Sequence, residues 1–122
     1  MKPFPTLKAR RDFKKVSQKG QKWVTASFIL QGLKRKNDEA LSLEKNLTVR
    51  VGYTVSKKVG KAVLRNKVKR RLREAVKIAF KESKESGCDY VIIARRGCDQ
   101  TCFREIVKEL TWALKHLHRL LA

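Results

Sequence analysis

A run of basic side chains between Arg65 and Lys77 recurs at the spacing of one helix face. Positions three and four apart fall on the same side of a helix with about 3.6 residues per turn. Guanidinium and ammonium groups in such an array bind phosphates, and each neutralised phosphate releases a counterion. The stretch therefore predicts a surface for a polyanion. Its members are Arg65, Asn66, Lys69, Arg70, Arg73 and Lys77, and Lys58, Lys61, Lys67 and Arg71 widen the positive field.

The alternative is an ordinary solvated helix face. Such a face usually interleaves acidic residues at i,i+4, because these offset the repulsion between like charges. Glu74 is the only acidic residue between Val55 and Lys81. Uncompensated charge at this density raises the cost of folding, so a polyanionic ligand explains the pattern better.

Other reactive residues do not form a recognisable catalytic or metal-binding arrangement. His116 and His118 are two apart, so they face different sides of a helix and are expected to complement its C-terminal dipole. Cys98 and Cys102 lack two further zinc ligands nearby, and structural thiols are expected. No glycine-rich phosphate loop, Ser-His-Asp arrangement or carboxylate cluster is apparent. Any reaction is therefore expected to use an active site that another molecule supplies.

The basic face must be positioned by a helix that we expect from Lys57 to about Lys84. Its apolar residues recur at steps of three and four, so they form a stripe that should face a core. This stripe comprises Leu64, Val68, Leu72, Ala75, Val76, Ala79 and Phe80.

The first third of the chain predicts a helix followed by strand. Thr6 is expected to cap a helix over 7–19, which ends at Gly20. Aromatic and β-branched residues over 23–33 predict one strand or two short ones. The polar residues over 34–46 predict an exposed hairpin connection.

Two further strands and a final helix complete the prediction. Residues 47–55 alternate between apolar and polar, and Gly52 within them suggests a bulge or a close approach by another backbone. The apolar run 90–94 predicts a buried strand that pairs beside 47–55. A last helix, capped by Asp99 or Thr101, should continue through Leu121 and cover the core.

Composition limits the class of protein. The 122 residues carry a formal charge of +20, and a hydrophobic fraction of 42% still permits a packed core. We expect an α+β fold, with a small mixed sheet packed against three helices, in a single RNA-binding domain over 1–122 that begins with a flexible segment, 1–6. Three cysteines without paired spacing favour a reducing, cytoplasmic location. Neither a signal peptide nor a membrane-spanning stretch is apparent, so no membrane partner is expected.

The polyanion is expected to be RNA rather than DNA. A helix that reads the DNA major groove usually presents several Asn, Gln or Arg side chains to the bases, and only Asn66 is obvious here. A sheet with a basic rim and an aromatic such as Phe28 nearby suits structured or single-stranded RNA.

The central motif resembles the protein component of bacterial ribonuclease P. The run from Arg50 to Arg73 reads R-V-G-x-x-V-S-K-K-x-G-x-A-V-x-R-N-x-x-K-R-x-x-R. The signature of that family is Arg-Asn-Arg followed by Lys-Arg and a further Arg. Here Lys67 stands at the third position and offers a point charge in place of a planar fork.

The resemblance implies both a fold and a function. It implies a left-handed β-α-β crossover, the opposite of the hand that general rules favour. It also implies an accessory subunit, noncatalytic alone, that binds the catalytic RNA, assists removal of the 5′ leader from precursor tRNA and uses Mg²⁺ held mainly by the RNA. No obligate protein partner is expected. The RNA-binding residues that it implies are Arg65, Asn66, Lys67, Lys69, Arg70 and Arg73, with Lys57, Lys58 and Lys61 nearby.

A cleft for the single-stranded leader is also implied, between the first helix and the sheet. Phe13 matches an aromatic position of the family, and Arg11, two residues before it, is also expected to line the cleft. Ser17 and Gln31 stand where some members have further aromatic residues, so less extensive stacking is expected.

Two other functions fit the same composition. A ribosomal or ribosome-assembly protein would prefer ribosomal RNA, and a protein nuclease would need His116 or His118 for cleavage. The central motif favours the ribonuclease P interpretation over both.

Overall fold

The computed structural model describes residues 4–83 and 87–121. They form a four-stranded sheet in the order β1-β2-β4-β3. The pairs β1–β2 and β2–β4 are antiparallel, whereas β3 and β4 are parallel. This arrangement confirms the mixed sheet and the predicted pairing of 90–94 beside 47–55. The strands are β1 (Gln21–Val24), β2 (Phe28–Lys34), β3 (Arg50–Thr54) and β4 (Cys88–Ala94).

Three long helices surround this sheet, as predicted, and a short one is added. The short helix begins after Ser42, whose hydroxyl accepts a hydrogen bond from the backbone N–H of Lys45. A 3₁₀ turn at Cys98–Gln100 precedes the last helix. The helices are α1 (Arg10–Lys19), α2 (Leu43–Leu47), α3 (Ala62–Ser83) and α4 (Phe103–Leu121).

The sheet separates two apolar layers. Helices α3 and α4 cover one face and α1 covers the other, so β4 is buried on both sides. Because β4 is buried on both faces, its sequence is a continuous apolar run and does not alternate between apolar and polar residues. The larger layer includes Phe28, Leu30, Leu72, Phe80, Tyr90, Leu110, Leu114 and Leu117. The smaller one comprises Leu7, Val16 and Val91, flanked by Phe13, Leu33 and Ile93.

The predicted hairpin over 34–46 is wrong. Strand β4 lies between β2 and β3, so residues 35–49 connect two strands that are not neighbours. Local polarity predicted a connection, but it carries no information on which strands pair. The parallel pairing of β3 with β4 makes α3 the helix of a β-α-β crossover. The left hand of that crossover stays a prediction from the family resemblance.

Three helix boundaries differ from the predicted ones. Helix α1 begins at Arg10, three residues after the predicted start at Leu7, and its N-cap is Ala9 without a side-chain hydrogen bond. The predicted cap, Thr6, forms a parallel bridge with Val51 instead. A tertiary pairing has therefore displaced the local capping preference. The C-terminal boundary at Gly20 is confirmed.

The other two differences concern α3 and α4. Helix α3 begins at Ala62 because residues 57–59 form a turn, and the predicted end at Lys84 lies outside the described residues. At α4, the N–H groups of Glu105 and Ile106 donate to the carbonyl of Cys102. Asp99 and Thr101 precede that position, so neither caps the helix.

Part of the N-terminal segment 1–6 is in contact with the sheet. The Phe4 ring packs 5.9 Å from the Phe80 ring, centroid to centroid. The N–H of Val51 donates to the carbonyl of Pro5 at 2.9 Å. Residues 4–6 thus extend along the outer edge of β3, and residues 1–3 lie outside the described part of the chain.

A buried carboxylate joins the strands at one end of the sheet. Asp89, only 4% exposed, accepts hydrogen bonds from Arg35 at 2.6 Å and from Arg50 at 2.9 and 2.7 Å. Arg35 also donates to the carbonyls of Lys45, Asn46 and Thr48. Asp89 on β4 therefore holds both the first residue of β3, Arg50, and the start of the connection over 35–49, Arg35.

We expect Asp89→Asn to lower the free energy of unfolding by about 3 kcal/mol, because it leaves two arginines next to a neutral, poorly matched group. Urea denaturation followed by circular dichroism measures this loss. Glu74→Gln is the matched control, since Glu74 forms an exposed i,i+3 pair with Lys77 and should change stability by about 0.5 kcal/mol or less. Equal stability of the two variants would contradict the structural role of Asp89.

Candidate nucleic-acid interface

The outward face of α3 displays most of the predicted basic residues. Asn66, Lys67, Arg70 and Arg73 are exposed, while Arg65 and Lys69 are half-buried. The opposite face carries the apolar stripe, which is buried apart from the half-buried Leu64. Packing on the sheet therefore turns the charged side of the helix toward solvent.

One arginine of this face contacts the sheet, and another has a shielded donor. The Arg73 guanidinium lies 6.0 Å from the centroid of the Tyr53 ring on β3, within the range of a cation–π contact. Burial raises the pKa of the Tyr53 hydroxyl, and the positive charge of Arg73 opposes that rise. The Nε atom of Arg65 is shielded from solvent and has no hydrogen-bond partner within the described residues. Arg65 therefore holds a desolvated donor at the start of the helix.

The three remaining predicted RNA-binding lysines lie in the turn that leads into α3. Lys57, Lys58 and Lys61 are all exposed, and Val59 between them is buried and anchors the turn. The structure thus places the nine predicted residues along one continuous stretch, from the segment 57–61 before α3 to Arg73 near the middle of the helix.

Two of the other basic residues have internal partners. Arg71, expected to widen the positive field, donates to the carbonyls of Asp99 at 3.3 Å and Thr101 at 2.6 Å. It therefore fastens α3 to the 3₁₀ turn, which sequence spacing could not reveal. Lys77 donates to Glu74 at 2.9 Å.

A cleft lies between α1 and the sheet on the other side of the molecule. Its cavity of about 280 Å³ contains three of the four predicted residues, Phe13, Ser17 and Gln31. Arg11 points to the exposed side of α1 and does not line it. The full lining comprises Arg10, Phe13, Lys14, Ser17, Gln31, Thr54, Val91 and Ile93.

Sequence reasoning missed Arg10 and Lys14, although a signal was present. Arg10 and Ser17 lie three before and four after Phe13, so they share its side of a helix, and Lys14 lies four after Arg10 and three before Ser17 and so borders the same side. Arg11 matched the family motif in sequence but falls on another side.

Gly52 sets the distance between α1 and the sheet. A Cβ at this position would lie 2.7 Å from two atoms of the Phe13 ring and 3.0 Å from the Cβ of Leu7. The position is closely approached, as expected, but by side chains and not by another backbone. The missing side chain lets the Phe13 ring pack directly on β3.

The geometry agrees with the comparisons to known proteins. The family model described as Ribonuclease P matches residues 1–118. The chain belongs to the ribonuclease P protein family. It is therefore a component of ribonuclease P, a tRNA-processing ribonuclease, and membership implies partnership with the RNA of that enzyme.

Similar proteins cover nearly the whole chain. The ribonuclease P protein component of Gluconacetobacter diazotrophicus is 38% identical over 109 residues, which are 89% of this chain and 87% of the relative. That of Bacillus mycoides is 36% identical over 115 residues, 94% and 92% of the two chains. The ribonuclease P protein structure from Thermotoga maritima matches with a TM-score of 0.71 and 28% identity, covering 93% of this chain and 96% of that one. The Staphylococcus aureus structure gives 0.69 and 28%, covering 94% and 93%.

This ribonuclease P protein offers poor ligands for a metal ion of its own. Within residues 4–83 and 87–121, no group of three or more His, Cys, Asp or Glu side chains is placed to hold a metal. Asp89 is committed to two arginines, and Asp12 lies 3.7 Å from Arg50. These residues do not fit a Mg²⁺ site.

The two histidines contact aromatic rings, in addition to lying near the end of α4. The His116 ring stacks on Trp23, with centroids 4.2 Å apart and an interplanar angle of 9°. His118 Nε2 lies 2.7 Å from the hydroxyl oxygen of Tyr90. They point to different partners, as their spacing predicted, so the structure does not bring them together.

The cysteines differ in reactivity. Cys88 and Cys98 are buried and Cys102 is exposed. The pKa of Cys98 is raised to about 11, chiefly by burial; the charge of Arg71 opposes the rise, and those of Asp99 and Glu109 add to it. Cys98 is therefore a neutral, inert thiol at physiological pH.

No helix in the described part of the chain is long and apolar enough to cross a membrane.

We expect Gly52→Ala to lower the free energy of unfolding by about 1–3 kcal/mol, because the added methyl group meets the Phe13 ring and forces α1 away from β3. Thermal unfolding measures the loss, and amide NMR shifts should change at α1 and β3 but not along α4. Ser17→Ala is the control, since Ser17 is exposed on the same helix. Unchanged shifts at α1 would contradict the tight contact.

Proposed function

We propose that the protein binds the catalytic RNA of ribonuclease P through α3 and the turn before it. We further propose that the cleft beside α1 holds the 5′ leader of precursor tRNA, so that the protein assists cleavage in the cytoplasm without itself being catalytic. The observation that carries this proposal is the array of exposed, uncompensated cations on one rigid helix.

The array on α3 suits the backbone of a folded RNA. Its cations are presented by a helix whose other side is fixed in the core, so little side-chain packing must change on binding. Glu74 pairs with Lys77, which leaves the N-terminal half of the helix with no acidic residue. Phosphate contacts would satisfy the desolvated Arg65 donor and relieve repulsion among neighbours such as Lys69 and Arg70.

The cleft beside α1 suits a single strand. Phe13 offers a ring for one base, Val91 and Ile93 form an apolar floor, and Gln31 offers both a donor and an acceptor. Arg10 and Lys14 lie on the rim and would contact the leader backbone. With Ser17 in place of an aromatic, we expect one stacked base and no continuous platform.

The Mg²⁺ used in cleavage is proposed to be held mainly by the RNA. Supporting this, the carboxylates of Asp89 and Asp12 lie against Arg50. The contribution of the protein is then electrostatic: it lowers repulsion between the catalytic RNA and its RNA substrate, and so improves substrate and metal affinity.

Binding to the catalytic RNA should weaken steeply with salt. If about six basic groups contact phosphates, log affinity falls against log salt with a slope of roughly −4 to −5. Arg65→Ala combined with Arg70→Ala should make that slope shallower by about 1.5, since each lost contact removes roughly 0.7–0.9. Filter binding over a salt series measures both values.

The matched control is Lys115→Ala with Arg119→Ala, which removes the same charge from exposed positions of α4. Single-turnover cleavage of precursor tRNA by the RNA at low Mg²⁺ gives the functional readout. Strong stimulation should be lost in the α3 variant and kept in the control. A near-zero salt slope would refute the α3 interface, and preference for ribosomal RNA would favour the ribosomal function.

Leader binding should depend on the ring of Phe13. Phe13→Leu keeps an apolar side chain against Gly52 but removes the stacking surface, so affinity for precursor tRNA should fall by about tenfold. Affinity for mature tRNA, which lacks the leader, should not change. Ser17→Phe should have the opposite effect, because it adds a ring to the same wall. Equal losses for both tRNAs in Phe13→Leu would show that Phe13 acts through folding alone.

A further inference from the structure

The two tryptophans of the chain lie together at the edge of the sheet. Trp23 on β1 is 36% exposed and Trp112 on α4 is 60% exposed. His116 bridges them, since it stacks on Trp23 and its ring centroid lies 5.6 Å from that of Trp112. Three adjoining rings thus form an exposed aromatic surface that neither RNA-binding site uses. We name it, with the adjoining groove, the tryptophan groove.

The groove beside these rings is acidic. Its cavity of about 370 Å³ is also lined by Glu105, Lys108, Glu109 and the backbone segment 24–26. Glu105 and Glu109 are four apart and share one side of α4. The Oε2 atom of Glu109 is shielded from solvent and lacks a hydrogen-bond partner among the described residues. Neither glutamate forms an ion pair within that part of the chain.

Carboxylates beside indole faces select a cation. A guanidinium group stacks flat on tryptophan and can donate two parallel hydrogen bonds to a carboxylate. A phosphate would instead be repelled by Glu105 and Glu109. In a chain of formal charge +20, the tryptophan groove therefore has the opposite preference from α3.

The strand next to the groove can accept another strand. β1 is the last strand of the sheet, pairs only with β2 among the described residues, and is exposed along its four residues. Such an edge offers backbone donors and acceptors to an extended peptide. Trp23 pairs with Leu30, which is buried in the layer beneath α4. A residue placed opposite Trp23 on an added strand would point to that same side, next to Trp112 and the glutamates.

From this juxtaposition we propose that the tryptophan groove binds an extended segment of a partner polypeptide, which adds to β1 and inserts an arginine side chain between Trp112 and the two glutamates. The edge at β1 is opposite the edge at β3, so the added strand leaves α3 and its turn available for RNA. The partner would thus bind the ribonuclease P protein while it is in the ribonucleoprotein.

A second copy of this chain fits the groove less well. If β1 of one copy paired with β1 of another, the only cation that the second β1 offers would be Lys22. Lys22 directly precedes Trp23 in the strand, so its side chain points to the opposite face of the sheet. Two chains of formal charge +20 would also repel each other. The chemistry therefore favours a different polypeptide.

Tryptophan fluorescence reports on this site alone, because both tryptophans line it. The full-length chain is titrated with the peptide acetyl-Thr-Thr-Arg-Thr-Thr-amide and, separately, with the same peptide carrying glutamine in place of arginine. We expect a saturable change in emission with the arginine peptide and about tenfold weaker binding of the glutamine peptide.

The protein variants are Glu105→Gln and Glu109→Gln, each expected to weaken binding of the arginine peptide by about threefold to tenfold. Glu44→Gln is the matched control, since Glu44 is exposed on α2, at the other end of the sheet. Circular dichroism checks that each variant is folded. Because Glu105 is exposed, its variant tests the proposal even if the shielded Glu109 matters for stability.

Three results would overturn the proposal. Equal affinity for the arginine and glutamine peptides would show that the groove does not recognise the cation. A fluorescence change with spermidine but not with the arginine peptide would show that the groove takes a small polyamine only. Self-association of the free chain in sedimentation, abolished by Trp112→Ala, would show that a second copy occupies it.

Discussion

Burial of β4 on both faces is the constraint on which the rest of the structure depends. An apolar strand such as Tyr90–Ala94 needs cover on two sides, and the chain supplies it with α1 on one side and with α3 and α4 on the other. Each covering helix turns its apolar side inward and its polar side outward. The basic array of α3 and the cleft beside α1 therefore lie on opposite faces of the sheet as a direct result of covering one strand. This is a suitable arrangement for a protein that is proposed to lie between two RNA molecules.

Several arginines of this chain have internal partners, while others are exposed. Arg35, Arg50 and Arg71 are directed inward, to the carboxylate of Asp89 or to backbone carbonyls, and so they join distant segments. Arg70 and Arg73 are exposed on α3 and remain accessible to phosphates. A hydrogen bond to a fixed acceptor stabilises the fold when the guanidinium is partly buried, whereas an exposed guanidinium adds little stability through any internal partner. Some of the basic residues thus contribute to the stability of the fold and are not available to phosphates.

Sequence periodicity predicted the parts of the fold that short-range physics decides. The apolar stripe of α3, the strand β4 and the exposed basic face were predicted correctly, whereas the strand predicted from Leu47 begins only at Arg50, because Leu47 ends α2. The predictions were wrong where contacts between residues distant in sequence determine the structure. Thr6 pairs with Val51 and so does not cap α1, and β4 inserts between β2 and β3. At the candidate sites, motif matching found Phe13 but placed Arg11 beside it in the cleft, where helix geometry places Arg10 and Lys14. The tryptophan groove could not be predicted at all, since it forms between β1 and α4.

The position of β4 in the sheet also bears on how the chain folds during synthesis. Strand β2 pairs with β1 on one side and with β4 on the other, with Phe28 opposite Ala94, so the pairing of β2 with β4 must wait until most of the chain has been made. Before then, β1 and β2 can pair only with each other, and a two-stranded hairpin alone is marginally stable in water. The emerging α3 would meanwhile carry dense positive charge with no sheet to pack on. Contacts between residues this distant in sequence slow folding. Early binding of RNA would reduce the repulsion among the basic side chains of α3 before the sheet has formed.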